Sequence, residues 1–485
     1  MNDCPDILPR DKHLRDSFTP AESMLFGLAI VIATVSFWLA DPRSIWLLGT
    51  LMILGALTPF VLKAHEHHHP FFIDLLWPKF WLYSAPVWIV LLQHLVGLSQ
   101  SPLSIIQSGE QIYHTLEPVQ VWRPTSTADG STWITIFGYC GIFLISTLLF
   151  IIPKSRSFFE RMLPWLCLSA ILVCIYGYIQ IGFGIKQPPL TKGSGASDFF
   201  AFFPYDGHWA AFAILWCAVC TAMTLLSTRY DDSPIFIHSI GPWYLTGAML
   251  LGASGFFLQA VVPSAILILS VSIMLFTVAA NFLKESKDPH RFSIAFSSGF
   301  FACLFFATAI FRFNRDGSLL TQSGPLRKAA IDIFQTNPIF GWGLDSYEKL
   351  LPFFASDLML GHRAERAVSD VLQLLVEFGL LGLAVTLAYL AIFSVRYLRI
   401  QHDIRLTKQM LLGCAAVLIL SIFDSPFMSP AVFYSFFVIF FSAMRWADLS
   451  RNKADEVDAQ KPQLVTPESM RNVPFFTKPY HEKEK

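Results

Sequence analysis

The sequence predicts an all-α, polytopic membrane protein, and three observations predict it. Of its 485 residues, 54% are hydrophobic and only 14% are charged, whereas water-soluble domains carry roughly 25% charged residues. Mean hydropathy is +0.51. Apolar runs of about 18 residues or more, the length that marks a spanning helix, tile the chain. The 35 Lys and Arg are balanced by 35 Asp and Glu, so net charge points to neither a nucleic-acid partner nor a steering field.

Read in order, residues 1–22 carry Arg10, Lys12 and Arg15 ahead of the first apolar run. That run has no small-residue cleavage site and is read as a retained helix, not a signal peptide. Spans follow at 23–40, 45–62, 80–98, 132–152, 163–185, 208–226, 241–262, 263–283 and 292–311, then at 371–395, 410–423 and 430–446. This gives about 12 helices near the length a bilayer core demands. Nine lie within 23–311 and three within 371–446, separated by a long segment at 312–370.

Alternate connectors hold the basic residues: Lys154, Arg156 and Arg161, then Lys284, Lys287 and Arg291, then Arg396, Arg399, Arg405 and Lys408. The positive-inside rule makes those connectors and both termini cytoplasmic. The tail at 447–485 is polar, without a period, and reads as disordered. The connector at 99–131 is external and carries little positive charge. Cys140, Cys167, Cys174, Cys217, Cys220, Cys303 and Cys414 fall within spans and Cys4 in the N-terminal tail. No external disulfide is expected, and the Cys217/Cys220 spacing reads as helix packing. The run His65-Glu66-His67-His68-His69 has residue types that bind zinc or nickel, but its place in a cytoplasmic connector makes it a solvated loop. The 46 Phe read as apolar mass facing lipid and core.

Segment 312–370 breaks the charge rule. It carries Arg312, Arg315, Arg327, Lys328, Lys349, Arg363 and Arg366 on the external side, which a segment of this length tolerates. Either its acids, among them Asp316, Asp345, Glu365 and Asp370, balance them on a solvated surface, or some arginines cradle an anionic substrate. Within it, Arg327 to Glu348 reads as an amphipathic helix ended by Asn337-Pro338, with Gly341-Trp342-Gly343 permitting a tight turn. A stretch from Ser369 to Leu383 then re-enters the membrane.

These elements resemble the O-antigen ligase and polymerase family of bacterial envelope glycan assembly. The likeness rests on Asn337, Pro338, Gly341 and Gly343, then on Ser369, Leu372, Gln373, Glu377, Gly379 and Gly382. It extends to Trp122-Arg123-Pro124, to the stretch from Pro204 to Phe212, and to Asp424-Ser425-Pro426. It is firmest between Leu326 and Leu383. Three departures stand out: Val368 occupies the position where members usually carry a His, Ser323 the place of a second Arg, and Tyr205, Asp206 and Gly207 a place where Arg or Asn is common.

The resemblance implies a multi-pass enzyme of the bacterial inner membrane, with segment 312–370 periplasmic. Its donor would be a glycan on undecaprenyl diphosphate. The acceptor would be lipid A-core, a growing glycan or another hydroxyl, with membrane lipid around both. Charge builds on the departing diphosphate, so fixed cations there lower the barrier most. Arginine forks, not a metal or another cofactor, would supply them. Arg327 is the expected catalytic contact, with Arg363 and Arg366, three apart and able to share one helix face, and Arg315 and Arg123 behind them. His362, Glu365 and Asp370 are candidate bases near Val368, since valine accepts no proton. Asp206 and His208 open a span, where ionisable groups are costly enough to suggest substrate contact, and the resemblance adds Asp424 as a further substrate contact. Ligase and polymerase both remain open. A non-catalytic glycan-lipid scaffold and a polysaccharide transporter or flippase are the alternatives, the latter disfavoured by the absence of an evident internal repeat.

Overall fold

A computed structural model describes residues 18–41, 45–66, 77–108, 111–126, 130–185, 199–230, 236–285, 288–315, 324–355, 369–398 and 405–460. The first half of the chain contains α1 (Pro20–Trp38), α2 (Ile45–Glu66), α3 (Trp77–Tyr83) and α4 (Ala85–Gly97). An antiparallel hairpin follows, with β1 (Leu103–Ser108) pairing Leu103 to Leu116 of β2 (Gln111–Leu116). Then come α5 (Gly130–Ile151), α6 (Arg156–Phe183) and α7 (Asp206–Tyr230). The second half contains α8 (Gly241–Ala253), α9 (Val261–Glu285), α10 (Arg291–Arg315), the short α11 (Gly324–Thr336) and α12 (Tyr347–Phe354), and finally α13 (Asp370–Leu398), α14 (Arg405–Phe423) and α15 (Pro430–Gln460).

Among the described residues, nine helices are long and apolar enough to cross a membrane: α1, α5, α6, α7, α9, α10, α13, α14 and α15. The expected span at 80–98 is two helices that part at Ser84, where Pro86 sits in the first turn of α4. At 13 residues α4 rises about 20 Å, short of the ~30 Å hydrocarbon core. The expected span at 241–262 likewise holds only the 13-residue α8 before a 3₁₀ turn at Ser254–Phe256. The hairpin is an addition to the all-α expectation.

Local chemistry sets the ends. Thr19 caps α1, its hydroxyl accepting from the Glu22 amide at 3.3 Å while Glu22 accepts from the Thr19 amide at 3.0 Å. Glu22 also accepts the Lys154 amide at 2.7 Å, which ties α1 to the start of α6. This buried carboxylate is thus bonded on both oxygens, as burial of a charge requires.

The most deeply buried helix is α7, which packs against α14, α8, α9, α15 and α6. An aromatic wedge including Phe143, Phe150, Phe393, Phe437 and Phe441 fills the space between α5, α13 and α15. Outward, α10 shows Phe296, Phe300 and Phe311, and α13 shows Leu380, Leu387 and Ile392. Such continuous apolar faces suit hydrocarbon. A second, smaller core of Ala329, Ala330, Ile333, Trp342, Leu350 and Val376 joins α11, α12 and the first part of α13, with Leu103 and Leu116 of the hairpin packed on it.

That small core is locked to the bundle by a broken helix. At Gly379, α13 departs from helical geometry, with φ 66° and ψ −168°. A break orphans carbonyls before it and amides after it. The turn at 337–343 supplies their partners. Trp342 and Gly343 amides donate to the Val376 and Glu377 carbonyls, each at 2.8 Å, while Leu380 and Leu381 amides donate to Pro338 and Ile339 carbonyls at 2.9 and 3.1 Å. The turn is held from behind: Asn337 Nδ2 and Thr125 Oγ1 donate to the Gly341 carbonyl at 2.7 and 3.1 Å, and Gln93 Nε2 to the Phe340 carbonyl at 2.7 Å.

Two glycines make the approach possible. At φ +70°, a Cβ on Gly341 would stand 2.5 Å from the Glu377 carbonyl carbon, and one on Gly379, at φ +66°, would strike the Ile339 carbonyl oxygen. Gly341→Ala should therefore destabilise the protein by about 3 kcal/mol, from left-handed backbone strain plus overpacking. Thermal unfolding in detergent checks it, with Gly299→Ala, at a site where the added carbon meets nothing within 4 Å, as the neutral comparison.

Candidate functional site

Four of the sequence-predicted site residues, the candidate base Asp370 and the candidate substrate contacts Asp206, His208 and Asp424, converge where three helices end. Asp206 and His208 open α7, Asp370 opens α13, and Asp424 follows α14. The organiser is the short connection from Asp424 through the 3₁₀ turn Pro426–Met428. The Asp370 amide donates to the Asp424 carbonyl at 3.2 Å. Asp370 Oδ2 accepts the Phe427 amide at 2.9 Å, and His208 Nε2 donates to the Ser425 carbonyl at 3.2 Å. Since that carbonyl can only accept, Nε2 carries the proton. Ser369 Oγ adds a bond of 2.9 Å to the Ser421 carbonyl. Three helix ends are thus fastened to one connection.

Asp206 is held from another side. Its Oδ2 accepts the Gln259 and Ala260 amides, both at 2.7 Å, from the turn before α9. Asp424 is held more lightly, with Oδ1 accepting the adjacent Ser425 amide at 2.7 Å. Gly207 makes the contact between these segments, because a Cβ there would overlap the Asp424 carboxylate. Burial pushes the Asp424 carboxyl above its ordinary value; the Ser425 amide opposes this, and the charge of Asp206 reinforces it. Two carboxylates in contrasting environments, one carrying two amide donors and the other disposed to hold a proton, are the pattern from which acid and base roles arise.

Arg327 lies in the first turns of α11, half-buried, with Nε enclosed and without a hydrogen-bond partner. Its neighbours pin it: Leu326, Ala329 and Ala330 pack into the small core that Leu372 and Val376 of α13 share. Leu326, beside Arg327, and Leu372, two residues after Asp370, pack on that same small core. Arg123 sits on an exposed turn with its guanidinium 4.4 Å from the Trp122 ring centroid. His362, Arg363, Glu365, Arg366 and Val368 lie outside the described residues, as do His67, His68 and His69. Arg315 ends α10, but its side chain lies outside the described set. Among the described residues no group of three or more His, Cys, Asp or Glu could hold a metal ion.

The structure also shows what spacing does not announce. Arg312, counted above only as one external cation among several, donates to carbonyls of the turn that presents Gln259 and Ala260 to Asp206. Glu377 is buried, and its Oε1 accepts from the Gln373 side-chain Nε2 at 3.1 Å beside the break. A glycine two residues after an acid inside an apolar run was the available signal for that break. No protein-family model matches the chain, and no curated protein matches it.

The raised affinity of Asp424 for its proton has a measurable sign. Its folded-state value exceeds the ordinary 3.8, so its contribution to stability is full below that pH and is lost as pH climbs through the raised value. The melting temperature of the parent should therefore fall relative to Asp424→Asn as pH rises from about 4 toward neutrality. Parallel melting curves for the two proteins across this range would contradict the assignment.

Proposed function

We propose that the chain is a glycosyltransferase of the O-antigen ligase or polymerase type. It would lie in the bacterial inner membrane with about 12 spans, both termini cytoplasmic and segment 312–370 periplasmic. The observation that carries this reading is the gathering of Asp206, His208, Asp370 and Asp424 from three helices where spans end, with Arg327 on the short helix whose residues share a core with the first part of α13.

The donor is a glycan on undecaprenyl diphosphate, and the acceptor a hydroxyl of lipid A-core or of a growing glycan. The acceptor oxygen attacks the anomeric carbon as the bond from that carbon to the diphosphate breaks. Arg327, with Arg363 and Arg366 from the same loop, neutralises the charge that develops on the leaving diphosphate. The hydroxyl's proton needs a base, and Val368 cannot be one. Asp424 supplies it, since a carboxylate with raised proton affinity works closer to neutral pH than an exposed one. Asp370, fastened to the same connection, orients it. No metal or other cofactor enters this scheme.

Deletion of the gene, with profiling of surface glycan and undecaprenyl-linked intermediates, is the primary test. Full-length lipid-linked polymer should accumulate if the enzyme is a ligase, and single repeat units if it is a polymerase. Unchanged glycan and intermediates would reject both and leave a binding scaffold or a transporter. At residue level, Arg327→Ala should cost about 10²–10³ in turnover, as loss of one preorganised charge donor does. Asp424→Asn should cost about 10²–10⁴, the usual range for a missing general base. Both proteins should still insert and extract at parental levels, and normal transfer by either would remove that residue from the site.

A further inference from the structure

We propose that Arg312 is a positioning residue that acts on Asp206 through the backbone of one turn. Its Nη1 donates to the Gly255 carbonyl at 3.1 Å, the Leu258 carbonyl at 3.0 Å and Ser264 Oγ at 2.6 Å, and Nη2 donates to the Phe256 carbonyl at 2.7 Å. The side chain reaches from the end of α10 and closes the exit of the 3₁₀ turn after α8 and the entry of α9 together. The two residues that follow Leu258 are those whose amides meet Asp206 Oδ2 at 2.7 Å each.

The segment Gly255 to Ala260 is therefore gripped by a guanidinium on its carbonyls and by a carboxylate on its amides. Charged partners make hydrogen bonds about twice as strong as neutral ones, and peptide units between them are polarised in one direction. The two charges support each other without touching. Removing the guanidinium leaves three carbonyls to find other partners, lets the turn move, and takes two donors from Asp206. Only the planar fork spans this set; a Lys ammonium in its place is a single point charge.

The consequence for transfer rests on the glycosyltransferase reading, but the relay does not. Among the described residues, Asp424 after α14 lies close enough to Asp206 for the two charges to act on each other, His208 and Asp370 are fastened to the connection that follows Asp424, and Arg312 acts through the turn, whose own residues are not ionisable. With two donors lost, the charge on Asp206 bears more strongly on Asp424, which its burial and Asp206 already push up, so the base form of Asp424 is reached at higher pH.

The test is amide hydrogen exchange on purified full-length protein in detergent, comparing the parent with Arg312→Gln and Arg312→Lys. Peptides covering 255–262 should exchange on the order of tenfold faster in Arg312→Gln, as a locally opened turn does, and by an intermediate factor in Arg312→Lys, with α7 peptides unchanged. Parental exchange at Gln259 and Ala260 in Arg312→Gln would overturn the relay. If that variant exchanges faster throughout, Arg312→Lys decides: acceleration confined to 255–262 supports the relay, and none overturns it. In a transfer assay the acid limb of the Arg312→Lys pH profile should move up by about one pH unit, the effect of one lost charge-assisted bond. Faster exchange with an unmoved profile would sever Arg312 from the site. A deletion strain with unaltered glycan would instead count against the enzymatic reading and leave the exchange result standing.

Discussion

The break in α13 and the turn that fills it are the constraint on which the rest depends. Hydrocarbon offers no partner to an exposed peptide group, so non-helical backbone at membrane depth survives only when protein satisfies it. Here the satisfaction comes from a segment outside the spans, the 337–343 turn, through four backbone bonds. The exchange works in both directions, since the turn gains partners for its own amides and carbonyls. Secondary structure in the loop and continuity of the last spans are thereby made one problem. The small core around Trp342 is joined to the bundle through it, while the start of α13 is fastened separately, by Ser369 and Asp370, to the end of α14 and the connection after it.

This has a bearing on what the motifs of the chain mean. Asn337, Gly341, Gly343, Glu377 and Gly379 carry the strongest part of the resemblance, and every one of them serves the lock. Their chemistry is that of backbone geometry: an amide that caps a turn, glycines that admit close approach, and a buried carboxylate bonded to Gln373. The groups able to move a proton or bear on an anion lie elsewhere, at the ends of α7, α13 and α14 and in the first turns of α11. A likeness founded on lock residues speaks to architecture first. Chemistry must be argued from Arg327, Asp206 and Asp424 separately.

How much was legible follows from the same division. Hydropathy alone specifies the apolar helices, because a bilayer selects on length and composition, and the ionisable residues at their ends stand out because they are costly there. Asp206 and His208 stand out for that reason, Asp370 by its place beside Val368 and Asp424 by the resemblance, although 218 positions separate the first from the last. Their meeting was not visible, since it depends on how α7, α13 and α14 pack. The division of segment 80–98 into two helices is not evident from hydropathy, because Pro86, tolerated in the first turn of a helix, lets a new helix begin after Ser84. The hairpin escaped because a two-stranded ribbon of mixed residues carries a weak period. Arg312 escaped because its partners are carbonyls, which no sequence pattern marks.

The broken helix also weighs on the alternative of transport. In transporters, discontinuous helices leave half-helix ends and unwound carbonyls free to coordinate substrate or ions near the midplane. In this chain the Val376 and Glu377 carbonyls and the Leu380 and Leu381 amides are already bonded to the chain's own turn. Opening them to a passing solute would require withdrawing residues 337–343, and with them Trp342, whose indole donates to the Ile333 carbonyl at 3.1 Å inside the small core. Four backbone bonds and a buried tryptophan oppose that withdrawal at every cycle. A break sealed in this way is suited to holding a loop rigidly against the bundle, which a fixed site at the helix ends needs and an alternating one does not.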